Sequence, residues 1–231
     1  MSTTTNIKYE RKLIIALHDN DLEKVKKYLP KVGTPYCIEE ENMDGKKYYS
    51  ILRYALNIGK YDIFEYMATI LDVDHKIGGM SLLYALFNLR LGGEDDSDDD
   101  TFFEKVELVL KYTKSINDVY DNATVLHVLL THIAEQGIEV DESLLDLIEL
   151  LLKHGADIHL EPFDYESPLE IAVKISDIPL VELLLKYKSD ICLNSELFTA
   201  VSGNHYDMVE LLLPHVKDIN ELLPFHLCTI L

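Results

Sequence analysis

Asp96, Asp98, Asp100, Glu104 and Glu107 fall at positions 1, 3, 5, 9 and 12 of a calcium-binding loop, the spacing at which carboxylates wrap a hard cation. Phe103 takes the apolar position 8. The run around them, Glu94-Asp95-Asp96-Ser97-Asp98-Asp99-Asp100, is the sharpest local feature of the chain. Two facts weigh against a calcium loop. Thr101 stands at position 6, where the sharp turn needs glycine. Glu107 also has a second explanation, because Glu65, Glu149, Glu182 and Glu210 hold the same place in similar segments. The run therefore reads as a solvated acidic insert that can present negative charge to a basic partner. A calcium-responsive site at Asp96, Asp98, Asp100 and Glu107 is the alternative.

Other side chains with chemical potential are scattered. The histidines His18, His75, His127, His132, His154, His159, His205, His215 and His226 show no i, i+4 pair near a carboxylate at zinc-site spacing. Cys37, Cys192 and Cys228 have no visible activating neighbour and form no C-x-x-C. Dinucleotide, P-loop and nucleophile-elbow signatures are missing. The sequence thus gives no catalytic residue and implies no cofactor.

Charge narrows the partner classes. Asp and Glu number 41 against 21 Lys and Arg, for a formal net charge of −20. Phosphate backbones and anionic membrane surfaces are disfavoured, since both need cations. Basic proteins would be attracted, and an acidic mimic that occupies the basic groove of a nucleic-acid-binding protein is a further alternative. Hydrophobic residues make up 48% of the chain, ample for a core. No apolar run reaches membrane-spanning length and the first residues are polar, so neither a span nor a secretory signal is expected. Three distant cysteines suit a reducing compartment, cytoplasmic or nuclear.

The elements that position these residues repeat. Asp146 to His159 reads D-L-I-E-L-L-L-K-H-G-A-D-I-H, an amphipathic helix stopped by Gly155. Similar second helices start near Asp21, Tyr61, Lys105, Pro179 and Tyr206. First helices open at Thr124-Val125-Leu126-His127 and Ser167-Pro168-Leu169-Glu170, with weaker copies at Ser50, Ser81, Glu196 and Lys12. The segments Asn57-Ile58-Gly59-Lys60 and Ser202-Gly203-Asn204-His205 read as turns between paired helices.

This pattern resembles the ankyrin repeat, a hairpin and T-P-L-H helix followed by a V-x-x-L-L helix. The resemblance implies an all-α stack of six antiparallel helix pairs with vestigial hairpins, near 8–30, 49–72, 79–113, 123–154, 166–188 and 195–214. A tail over 1–7 and a C-terminal cap over 219–231 would complete one domain, 8–231. Thr124 and Ser167 would cap their helices. His127, with Leu126, Pro168, Leu169 and Gly155, would be structural, the histidine linking adjacent hairpins.

Departures from the pattern are where function is sought. Leu52, Leu83, Leu126, Leu169 and Leu197 are 31, 43, 43 and 28 residues apart, so two repeats carry long insertions, at 91–100 and 134–143. The connection Pro30 to Tyr49 is also long. Members of the family bind partners through hairpin tips and first helices, which singles out Tyr48, Tyr49, His75, Tyr120, Asp121, Phe163, Asp164 and Glu166 as a partner surface. The apolar end, Leu222 to Leu231, reads as a cap. Its alternatives are a contact surface for a partner or a second copy, or a terminal Thr229-x-Leu231 ligand for a PDZ domain. The expectation is a non-enzymatic adaptor or inhibitor that binds another protein.

Overall fold

The computed structural model describes residues 3–32, 37–42, 45–91, 101–162, 166–187 and 193–216. The acidic insert Glu94, Asp95, Asp96, Asp98, Asp99 and Asp100, the pair Phe163 and Asp164, and the apolar C-terminal segment lie outside them. The helices gather into two compact units, 1–89 with 95–115, and 90–94 with 116–231.

In the first unit α1 (Thr3–His18) packs on α2 (Leu22–Tyr28), α3 (Ile51–Asn57) on α4 (Tyr61–Ala68), and α2 on α4. α5 (Leu82–Leu91) and α6 (Phe102–Leu110) meet through Phe87 and Phe102, edge to face at 5.3 Å. α1 takes in residues 3–7, which the sequence reading left as a tail. A larger difference lies in the first long connection. It forms an antiparallel hairpin of two six-residue strands, β1 (Cys37–Asn42) and β2 (Gly45–Ser50). Its Cα register pairs Cys37 with Ser50 and Asn42 with Gly45.

The second unit holds three pairs, α7 (Val125–Gln136) with α8 (Glu142–Lys153), α9 (Pro168–Ile175) with α10 (Ile178–Lys186), and α11 (Asn194–Ser202) with α12 (Tyr206–Leu212). α9 lies between α7 and α11, and α10 between α8 and α12. First helices thus stack on first helices and second on second. Apolar stripes on both helices drive this, because Leu169, Ala172 and Val173 of α9 and Leu180, Val181 and Leu184 of α10 are wholly buried. No single pair could shield both stripes.

Three of the pairs close by one device. Ala16, Ala55 and Ala200 are fully buried, and their carbonyls accept the N–H of Asp21, Lys60 and His205, where the second helix begins. The α7 return makes the same bond to Ile133, whose carbonyl accepts the Ile138 N–H at 3.1 Å. The residue before each return is left-handed: Asn20, Gly59, Gly137, Ser176 and Asn204. Gly59 behaves as the sequence predicts. In Ser202-Gly203-Asn204-His205 the left-handed residue is Asn204, and Gly203 is right-handed. Gly203 is required sterically instead, since a Cβ there would sit 2.4 Å from the His205 ring.

Side-chain caps mark the helix starts. Ser50, Ser81, Thr124 and Ser167 accept backbone N–H groups at the starts of first helices. Asp21, Asp141 and Asp177 do the same for second helices. Each such cap contributes about 1 kcal/mol.

Candidate functional site

Recurring polar contacts between neighbouring repeats separate structural residues from available ones. His127 is completely buried. Its Nδ1 lies 3.2 Å from the Thr124 backbone nitrogen and 2.7 Å from Thr124 Oγ1. A backbone N–H can only donate, so Nδ1 accepts and the ring proton sits on Nε2. Burial holds the imidazole below the ordinary histidine range, against the pull of backbone groups of Leu160 and Glu166 in the following connection. His127 therefore stays neutral, bonded at its own helix start and close to the following connection.

A second lock uses the position after each second helix. Asp74 accepts the Lys114 N–H at 2.8 Å. Asn117 donates to the Gly155 carbonyl and accepts from the Asp157 N–H, both at 2.9 Å. The chain here turns without regular structure, and these side chains satisfy backbone groups that no helix can.

The glutamate slot of the second helices forms a third lock. Glu65 pairs with Lys111 at 2.6 Å, and Glu149 accepts from Tyr187 Oη at 3.2 Å. Lys111 and Tyr187 are each the C-cap of the next second helix in their unit. A hydrogen bond from Lys153 keeps the Glu149 carboxyl below its usual range. Glu107 occupies the same slot on α6 and is exposed. Among the described residues no group of three or more His, Cys, Asp or Glu is placed to hold a metal.

The sequence-derived partner residues are distributed as follows. Tyr48 and Tyr49 lie in β2, in register with Glu39 and Ile38. His75 is exposed and lines a concavity of about 140 Å³ with Ser50, Arg53, Met80 and Ser81. Tyr120 and Ala123 exchange both backbone hydrogen bonds at 3.0 Å. Asp121 and Asn122 between them have φ of 50° and 62°, a type I′ tip that suits Asp and Asn. Asp121 is exposed, whereas Tyr120 is half-buried. Glu166 is half-buried and paired with Lys174. In the first unit the structure brings His75 beside Ser50 at the end of β2.

Three groups were not singled out from sequence. Arg53 joins His75 in the concavity. His18 Nε2 and Tyr54 Oη hydrogen-bond between α1 and α3, with their rings edge to face at 5.4 Å. Glu196, only 4% exposed, lies at the α9–α11 contact. Burial first, then the charges of Glu170 and Glu161, push its carboxyl above the usual range. Thr199 donates to Glu170 at 3.1 Å across the same contact. The one available signal for Glu196 was a glutamate at a first-helix position where other repeats carry an apolar or small residue.

No helix among the described residues is long and apolar enough to cross a membrane. A search of curated proteins gives no match. Residues 132–222 match the family model for ankyrin repeats, in 3 copies. Such repeats generally mediate protein–protein interaction, typically without catalysis. That match takes in the end of α7 and the stacked pairs α8 to α12, so residues 132–222 carry ankyrin repeats, and the sequence resemblance extends the same pattern to the rest of the chain.

Proposed function

We propose that the chain is a non-enzymatic adaptor or inhibitor that binds a basic protein surface through its hairpin tips and first helices. The observation that carries this is the set of carboxylates around the α9–α11 contact, where Glu170 of α9 accepts from Thr199 of α11 and Glu161 precedes α9. Glu161 is exposed and Glu170 half-buried. Carboxylates crowded together repel one another, and a lysine or arginine from a partner relieves that repulsion. Asp121, exposed at its turn, extends the same preference, as does the net charge of −20. The partner surface is then Asp121 with the first-helix acids and Tyr120. Tyr48, Tyr49 and His75 are its proposed counterparts in the first unit, with Phe163, Asp164 and Glu166 completing it.

The site of action is intracellular, cytoplasmic or nuclear, in keeping with three scattered cysteines. The six pairs are proposed to act as one domain. Calcium response and nucleic-acid-protein mimicry remain alternatives that rest on the acidic sequence alone.

Binding to a panel of lysine- and arginine-rich proteins, measured across a salt series, tests the reading. Affinity should fall steeply between 50 and about 300 mM salt, as expected for exposed charge pairs. Glu161→Lys with Asp121→Lys should weaken it further. Binding that ignores both salt and the two reversals would reject the basic-partner reading.

A further inference from the structure

The first helix pair reverses the charge of the chain. Residues 8–31 hold seven lysines and arginines against four carboxylates, a local excess of three positive charges in a chain of net −20. Asp21 and Glu23 are engaged with Lys24 and Lys26, at 2.9 and 2.8 Å. Lys12 and Lys27 both approach the Tyr28 ring, at 5.6 and 5.7 Å from its centroid. Lys31 lies 5.3 Å from the Tyr9 centroid, and the two rings are 6.2 Å apart. Lys12, Lys27 and Lys31 are all exposed. Two tyrosines thus hold three ammonium groups together that would otherwise drift apart, because ring faces attract cations.

We infer that this lysine–tyrosine face of α1 and α2 is a second interaction surface, fitted to a short acidic peptide segment of a protein partner. It is separate from the basic-partner surface proposed above and of opposite sign. The geometry bounds the ligand. The distances above place the Nζ atoms of Lys12 and Lys27 within about 11 Å of each other, and that of Lys31 within about 17 Å of Lys12. An extended peptide covers that reach in about five residues at roughly 3.4 Å each.

Chemistry separates this ligand from other polyanions. Single-stranded nucleic acid gains most by stacking bases on aromatic faces, and here lysines occupy those faces. A longer polyanion, or an anionic bilayer, also runs beyond the patch onto a protein surface whose remaining charge is −23 by the same residue count. A compact acidic peptide stays inside the patch, where screening over about 8 Å hides the rest.

Fluorescence anisotropy of a labelled octaglutamate peptide with the full chain tests this. Binding should appear at 50 mM salt, weaken with added salt, and fall at least about tenfold in K12E/K27E/K31E. K27E alone should lose part of that affinity, and keeps the test usable if the triple variant misfolds. Y28F retains the ring and should bind like the parent. No peptide binding, equal binding by the charge-reversed chains, or equally tight binding of octauridylate or phosphatidylserine vesicles would each overturn the proposal.

Discussion

His127→Ala should be among the costliest single changes in the second unit. The ring is 0% exposed and Thr124 is 1% exposed, so truncation removes a packed aromatic group and leaves the Thr124 N–H without its acceptor. A buried aromatic cut to alanine costs about 3–5 kcal/mol, and an orphaned buried donor about 1–3 kcal/mol. The two losses overlap, so about 3–5 kcal/mol in total is expected, against a whole-domain stability of about 5–15 kcal/mol. His127→Asn separates the parts. Its Oδ1 can replace Nδ1 as acceptor for Thr124, but its shorter side chain cannot reach the following connection. It should recover about 1 kcal/mol.

The same residue makes a pH signature. Its native value lies below the ordinary 6.5 because burial opposes the charged ring. The unfolded chain therefore binds a proton that the native chain refuses. His127 weakens stability as pH falls from 6.5 toward the native value, by up to about 1.4 kcal/mol per pH unit, and has no such effect above 6.5. Urea unfolding of parent and His127→Asn between pH 5 and 8 reads both effects. Their stability difference should shrink on acidification. A cost for His127→Ala below about 1 kcal/mol, or a difference independent of pH, would refute the lock.

The turns and the buried glutamate give three further outcomes. Gly59→Ala should cost about 1–2 kcal/mol from backbone strain alone, since φ is +68° and nothing lies within 4 Å of a Cβ there. Gly203→Ala should cost mainly through the His205 ring, so the double change with His205→Ala should lose most of the penalty in a thermal melt. Equal rescue of Gly59→Ala by a neighbouring truncation would contradict this division. Glu196→Gln should stabilise the chain at pH 7.5 by about 1 kcal/mol or more, the cost of a crowded buried charge. The raised native value means that stability is intact below 4.5 and is lost as pH rises through it. The gain should therefore vanish below pH 4, and a variant less stable than the parent at pH 8 would show that Glu196 is not held under strain.

Much of this fold is written locally. Ser167 and Thr124 precede apolar runs, and Gly155 follows one, so caps and stops could be read from single residues. The inter-helix turns were only half legible. Gly59 announces a left-handed position, whereas Asn20, Ser176 and Asn204 reach the same conformation without glycine, and Gly203 serves a ring two residues away. The first hairpin was hidden because its pairing depends on register across a turn, not on either strand's composition. The candidate sites were least legible. Glu196 looks like an ordinary helix glutamate until α9 closes over it. Lys12, Lys27 and Lys31 are ordinary surface lysines until two helices bring Tyr9 and Tyr28 together.

Repetition itself indicates which polar residues remain available for a partner. A side chain that fills a recurring slot and meets a recurring kind of partner is explained by the stack. Glu65 and Glu149 meet this condition, each reaching the C-cap of the next second helix. So do Asp74 and Asn117, which satisfy backbone groups at the end of the following repeat. Asp121 and Glu161 are exposed without any recurring contact, and the α1–α2 lysines sit on a tyrosine pair that no other described repeat builds. Their charge is not explained by the stack, and on that ground they carry the two surfaces of opposite sign proposed above.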